Sequence, residues 1–270
     1  MNTAARQPSP RLRPYIARYA GYRFDDAPAS GHAGLPSRHL TLVVSLGSRI
    51  TVSGLAGAGS YQTLVAGLHA TPTWIEGPAK PFGVRVLLTP WGARALLAAS
   101  GAELSGRIVD ASDLLGAWGE SLVERLGEAT SWEQRFAMLD TLFESRLLET
   151  RRPGRRLKGA WDRLLDSHGA RPIAEIAAEL GWSRRHMAQV FADEIGLSPK
   201  TIARIARYER AGRLIREGGD LAGVAAESGY VDQAHMGRDW VAMAGSSPGA
   251  WIRRELPFLQ DYEVGGGYPS

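Results

Sequence analysis

The apolar positions fall into two regimes. From Leu40 to Thr89, short apolar runs (Leu40 to Leu46, Ile50 to Val52, Tyr61 to Leu68, Val84 to Leu88) are separated by glycines such as Gly54, Gly57, Gly59, Gly77 and Gly83. Runs of this length broken by turn residues predict a small unit of antiparallel strands. Beyond Pro90 the period lengthens. Trp91 to Ser100, Asp113 to Leu126 and Trp132 to Glu149 have helical spacing, with Phe136, Leu139, Leu142 and Phe143 on one apolar face. Arg151-Arg152-Pro153-Gly154-Arg155-Arg156 then interrupts the pattern with Pro, Gly and charge. These shifts predict a domain over 1–150, β-rich to about residue 89 and helical over 90–150. A linker at 151–156, a helical domain at 157–256 and a tail at 257–270 follow.

The helical domain carries an internal repeat. Ile173, Ile176, Ala177 and Leu180 share a face behind Pro172; Gly181 stops that helix, Ser183 caps the next, and Met187, Val190 and Phe191 give it a buried face. This is a helix-turn-helix pattern. A shift of 48 residues places Leu221, Val224, Ala225, Ser228 and Gly229-Tyr230 on Ile173, Ile176, Ala177, Leu180 and Gly181-Trp182. One extra residue in the second turn makes the shift 49, matching Met236 with Met187, Trp240 with Phe191, and Gly245-Ser246-Ser247-Pro248 with Gly196-Leu197-Ser198-Pro199. Between the copies, Pro199 to Arg216 reads as one helix with Ile205, Tyr208, Gly212 and Ile215 inward. Eighteen residues span roughly 27 Å, and recognition helices about one turn of B-DNA apart fit successive major grooves.

Composition narrows the chemistry. The chain has 270 residues, 44% apolar and 22% charged, an ordinary globular balance. No window supplies the roughly 18 apolar residues of a membrane span, and the first 20 residues lack a signal-peptide core, so a cytoplasmic protein without membrane partners is expected. Cysteine is absent, which excludes disulfides, thiolate metal sites and cysteine nucleophiles. Residues 1–150 carry 14 basic and 13 acidic side chains, residues 151–256 carry 18 and 13, and residues 257–270 carry 0 and 2, giving +1, +5 and −2. The positive excess lies with the repeat, although a GC-rich coding sequence explains the preference for arginine equally well.

Ile173-Ala174-Glu175-Ile176-Ala177, Gly181-Trp182-Ser183 through Phe191 and Gly196-Leu197-Ser198-Pro199 resemble the DNA-binding domain of the AraC/XylS family of transcription regulators. So do Glu209-Arg210-Ala211, Gly229-Tyr230, Asp232-Gln233-Ala234-His235-Met236, Arg238, Gly245 to Pro248 and Trp251. The resemblance covers nearly 80 residues, under a third of the chain. It implies an α+β architecture: a small cupin-like β domain followed by helices, then an all-α domain with two helix-turn-helix units joined by a long helix. It also implies transcription control at promoter DNA, with RNA polymerase as a partner and a nucleoid location. A small-molecule effector and a homodimer are left open, because Trp132 to Glu149 serves equally as a dimer helix or as packing on its own β domain.

The helical wheel supplies candidate readers directly. With Met187, Val190 and Phe191 inward, Arg185 and Gln189 point outward with Arg184 on a shoulder; in the second copy Arg238 points outward with Gln233 on a shoulder. Arginine pairs bidentately with guanine and glutamine with adenine. His235 and Arg207 complete the expected DNA-binding set as phosphate contacts; His235 has a hydrogen-bonded packing alternative, and Arg207, Arg210 and Arg213 could instead pair with Glu209 or Glu217. Val231 stands where serine is frequent in the family, so Asp232 is expected to cap the second recognition helix.

The N-terminal half is less explicit. Pro36 to Gly47 and Ala66-Gly67-Leu68-His69 resemble sensing domains of actinobacterial members, and the few strands suggest an abbreviated or helix-completed barrel. Trp74, Phe82 and Arg85 are the candidate effector pocket, aromatic walls with one charge suiting a small organic anion. His39, His69 and Glu76 lack the close spacing of a metal-binding cupin, so no metal and no cofactor is expected. Nor does a Ser-His-Asp set, phosphate loop or carboxylate pair emerge, and an enzyme is not expected. The alternative to an effector-modulated regulator is an effector-independent DNA-binding protein whose N-terminal domain serves only protein contacts.

Overall fold

The computed structural model describes residues 2–25, 31–78, 80–147 and 153–254. The tail at 257–270 and the first two residues of the 151–156 linker therefore lie outside the described residues. The N-terminal part runs β1 (Asn2–Arg6), β2 (Ile16–Arg23), β3 (His32–Gly34), β4 (Leu40–Ser45), β5 (Ile50–Ser53), β6 (Gly59–Tyr61), β7 (Thr63–Ala66), β8 (Thr73–Glu76) and β9 (Phe82–Leu88). Then follow α1 (Pro90–Leu97), α2 (Gly101–Leu104), β10 (Ile108–Asp110), α3 (Ala111–Leu115), α4 (Ala117–Glu128) and α5 (Trp132–Arg146). A six-stranded sheet has the order β1-β2-β9-β4-β7-β10 and a four-stranded sheet the order β3-β8-β5-β6, every strand pair antiparallel. A register shift between Ile16 and Arg18 interrupts the β2–β9 pairing.

Strand alternation assigns the two faces of the large sheet. Leu40, Leu42 and Val44 of β4 and Val84, Val86 and Leu88 of β9 are fully buried in one core with Leu96, Leu122, Leu139 and Phe143 of the helices. Tyr19 of β2 stacks on Phe136 of α5 with ring centroids 5.8 Å apart. The helices thus cover one face. On the other face a smaller core of Ile50, Val52, Leu64 and Ile108 joins the sheets. The helix expected over 113–126 is two helices, because Gly116 adopts φ 58°, ψ −147° and ends the first.

The C-terminal part is helical: α6 (Arg155–Asp166), α7 (Ile173–Glu179), α8 (Arg184–Glu194), α9 (Pro199–Arg216), α10 (Leu221–Glu227), α11 (Gln233–Ala244) and α12 (Pro248–Arg254). Its α9 begins with Pro199 behind Ser198, whose Oγ accepts the Thr201 N–H, a favourable helix start. Ten of its eighteen residues are buried, Ile202, Ile205, Tyr208 and Ile215 among them. Each such apolar side chain contributes roughly 1.5–3 kcal/mol on burial, so α9 is the spine of this part. The two-part α+β architecture expected from the sequence is the one the chain adopts.

Candidate nucleic-acid interface

The repeat persists at the level of single hydrogen bonds. Trp182 N donates to Ala177 O (2.8 Å) and Tyr230 N to Ala225 O (3.0 Å); Gly181 N donates to Ala178 O (3.0 Å) and Gly229 N to Ala226 O (3.2 Å). The left-handed backbone of these glycines, φ 67° and 77°, is what turns the chain between the helices of each unit. Ser183 caps α8 by accepting from His186 N, and Asp232 caps α11 by accepting from His235 N. Each turn aromatic then meets a histidine one helical turn on: Trp182–His186 at 5.2 Å and 85°, Tyr230–His235 at 5.3 Å and 86°. This pairing was missed in the sequence, although both partners sit at equivalent places in the repeat.

The inner faces of α8 and α11 are Met187 with Phe191, and Met236 with Trp240 and Met243, all buried. Arg184, Arg185 and Gln189 on α8 and Gln233 and Arg238 on α11 are exposed. Gln189 Nε2 donates to Asp193 Oδ1 at 2.8 Å, an exposed i,i+4 bond worth a few tenths of a kcal/mol, which a base edge can replace. A salt link from Arg204 to Asp239 (2.9 Å) ties α9 to α11. Val231 is 88% exposed in the second turn, beside the Asp232 cap.

Two expected contacts sit differently. Arg207 is committed inside the fold: its Nη1 donates to Gly169 O at 2.9 Å and its guanidinium lies 5.6 Å from the Tyr230 ring centre. It braces the turn of the second unit and is withdrawn from the phosphate-contact set. His235, half-buried against Tyr230, takes its packing alternative. Glu209 pairs with neither Arg207, Arg210 nor Arg213. Arg210 instead donates to Glu227 O at 2.8 Å.

The proposed Trp74, Phe82 and Arg85 pocket does not assemble. Phe82 packs edge-on to Trp132 at 5.8 Å, with the guanidinium groups of Arg23 and Arg135 over its ring. Arg85, three positions along the same strand, faces the opposite side of the sheet. There it lines a cavity of about 200 Å³, and Ile75, not its neighbour Trp74, reaches the same space. Among the described residues no group of three His, Cys, Asp or Glu side chains comes together to hold a metal.

That cavity lies between the large sheet and the second helix-turn-helix unit. Arg18 and Arg85 line it from the sheet; Tyr208, Glu209 and Arg216 of α9, Trp240 of α11 and Trp251 of α12 line it from the other side. Glu209, its side chain 3% exposed, is held by the loop before β4: it accepts from Ser37 Oγ (3.1 Å), Arg38 N (3.0 Å) and Arg38 Nε (2.7 Å). The rim is positive. Burial and Arg85 push His32 down to about 4, and burial with Arg38 and Arg18 pushes His39 down to about 3, so both rings are neutral near pH 7. The first unit docks elsewhere: Ser105 Oγ donates to Gly196 O (3.0 Å), Arg94 pairs with Glu194 (3.2 Å), and Trp91 meets Trp161 of α6 edge-on at 5.8 Å.

Two structurally equivalent helix-turn-helix units on one shared helix, seated on an antiparallel sheet domain, define the C-terminal region as a helix-turn-helix domain. Residues 176–254 match the family described as helix-turn-helix domain. Over 81 residues the chain is 35% identical to the HTH-type transcriptional regulator Rv1931c of Mycobacterium tuberculosis, a match covering 30% of this chain and 31% of that protein. The chain thus matches under a third of the length of this curated relative. The whole fold resembles solved structures of ToxT from Vibrio cholerae. An apo variant superposes with a TM-score of 0.52 at 12% identity, covering 87% of this chain and 97% of that one. Unsaturated fatty acid bound wild-type ToxT gives 0.50 at 11% identity, covering 92% and 96%. Among the described residues no helix is long and apolar enough to cross a membrane.

Proposed function

We propose that this protein is a sequence-specific transcription regulator that reads two successive major-groove segments of promoter DNA, one with α8 and one with α11. The observation that carries the reading is the pair of equivalent recognition helices, each with a buried inner face and an exposed outer face of Arg184, Arg185 and Gln189 or of Gln233 and Arg238. Arginine forks and glutamine amides at such positions match the edges of guanine and adenine. The protein works at the nucleoid with RNA polymerase as its downstream partner, and the N-terminal domain modulates it by holding a small molecule. One structure of ToxT carries an unsaturated fatty acid; the place we assign to an effector here is the cavity bordered by Arg85.

The test is a salt-titrated binding assay of the full chain against promoter fragments and single-base variants of the bound site. Affinity is expected to fall steeply with salt, and Arg238→Ala to cost about 1–3 kcal/mol at one base position. Equal loss on every sequence would remove Arg238 from base reading. Absence of saturable binding at low salt to any fragment would overturn the regulator itself.

A further inference from the structure

The repeat makes the two recognition helices comparable residue by residue, and their outer faces differ in chemistry. With the offset of 49, the exposed Arg185, Ala192 and Asp193 of α8 correspond to the exposed Ala234, Val241 and Ala242 of α11, and Gln189 corresponds to Arg238, the one charged side chain of α11 that is exposed. Among the described residues, the two large apolar side chains left exposed are Val231, at 88%, and Val241, at 48%. Both belong to the second unit. Val231 is the extra residue of the second turn, placed before the Asp232 cap and without a counterpart in the first unit. An apolar residue at that place ordinarily packs against the fourth residue of the helix. Here that residue, Met236, is fully buried while Val231 stands in solvent, so the staple is not made.

Ala234, Arg238 and Val241 are spaced four and three residues apart and form one strip along α11, roughly 10 Å long, the length of about three base pairs. Val231 lies beyond the N-terminal end of that strip, the end at which a recognition helix meets base edges. Gly237 beside it is not required by packing within the chain, since a Cβ there would meet no atom within 4 Å; glycine weakens a helix interior, and at this place it leaves room for a body outside the chain. Residues 151–256 carry 18 basic and 13 acidic side chains, which suits a nucleic acid as that body. In the major groove the thymine 5-methyl is the apolar group on the base edges. An apolar side chain against it gains burial, whereas against a G·C pair it leaves polar edge groups without partners. We propose that Val231 and Val241 read thymine 5-methyl groups on either side of the Arg238 contact, so that the second unit recognises its segment by methyl contact where the first relies on hydrogen bonds. This deepens the function proposed above and rests on it.

A duplex selected in vitro by the full chain provides the test. Its two segments are assigned by which one loses base preference in Arg185→Ala and which in Arg238→Ala. Each thymine is then replaced by deoxyuridine, which removes the methyl and keeps the pairing. Two replacements in the α11 segment are each expected to weaken binding about fourfold, the weight of one buried methyl group, and replacements in the α8 segment less than about twofold. Val231→Ser and Val241→Ser should each abolish the loss at one of the two thymines and leave the other in place. Val231 is outside the core, so its variant keeps the fold and the Arg238 contact. Binding without any deoxyuridine effect in the α11 segment would overturn the methyl reading and leave the regulator standing, as would equal effects in both segments. Deoxyuridine losses that persist undiminished in both variants would remove the valines as readers. Variants that bind every duplex as the unaltered chain does would assign the apolar strip to a protein partner and refute its contact with DNA. Failure to select any duplex would overturn the regulator, and the methyl reading with it.

Discussion

Gly196 and Gly245 occupy equivalent places at the ends of α8 and α11, which makes the repeat its own control. Both have left-handed backbone, φ 86° and 72°, so alanine at either carries a conformational cost of about 1–2 kcal/mol. Their surroundings differ. A methyl group at Gly196 would lie 2.4 Å from Ser105 Cβ and 2.8 Å from Ala102 Cα, both on or beside α2, whereas at Gly245 the nearest atom would be Pro72 Cγ at 3.4 Å. Overpacking of this kind adds about 1–3 kcal/mol. Gly196→Ala should therefore destabilise the full chain in urea unfolding by that much more than Gly245→Ala, and Ser105→Gly should recover part of the difference. Equal losses, within about 0.5 kcal/mol, would refute the seating of α2 on the first unit and with it the separate anchoring of the two recognition helices.

Two further outcomes are expected. Arg38→Ala leaves the Glu209 carboxylate buried with only Ser37 and the backbone as donors and should cost about 3 kcal/mol or more, while Glu209→Gln should cost about 1–2 kcal/mol; a double-mutant cycle in urea should give a coupling of about 1–3 kcal/mol, and additivity would show that the ion pair is absent. His39 stays neutral in the folded chain down to about pH 3 but takes up a proton near its ordinary value when unfolded. Its contribution to stability is therefore complete above about pH 6.5 and is lost as the pH falls from there toward 3, by up to about 1.4 kcal/mol per unit. His39→Gln should flatten stability against pH between 6 and 5, and an unchanged slope would contradict the burial of the ring.

The parts of this molecule governed by short-range pattern were legible in the sequence. The two units, the bounds of α9 and the buried faces of α5, α8 and α11 follow from period 3.6 and from a glycine beside an aromatic residue. Asp232 was identifiable as a cap from the displaced serine. Short strands were harder. β1, Asn-Thr-Ala-Ala-Arg, has no apolar alternation because it is an edge strand paired only with β2, and β3 has three residues. The effector trio failed on a rule available from the start: residues 82 and 85 of one strand face opposite sides, as do 74 and 75. Arg207 and Glu209 failed for another reason. Their partners, Gly169 and Arg38, lie 38 and 171 positions away, and no local periodicity encodes such contacts.

The helix shared by the two units has a consequence for mass action. On the reading proposed here, both readers travel on one chain, set apart by a spacer of roughly 27 Å that is itself part of the hydrophobic core. Once one unit is engaged, the other meets its segment at an effective concentration set by that spacer, on the order of millimolar or above for short connections. Occupancy of a two-segment site therefore rises with the first power of protein concentration, without the quadratic threshold of a regulator that must first find a partner. At a few copies per cell, the address remains readable by a single molecule.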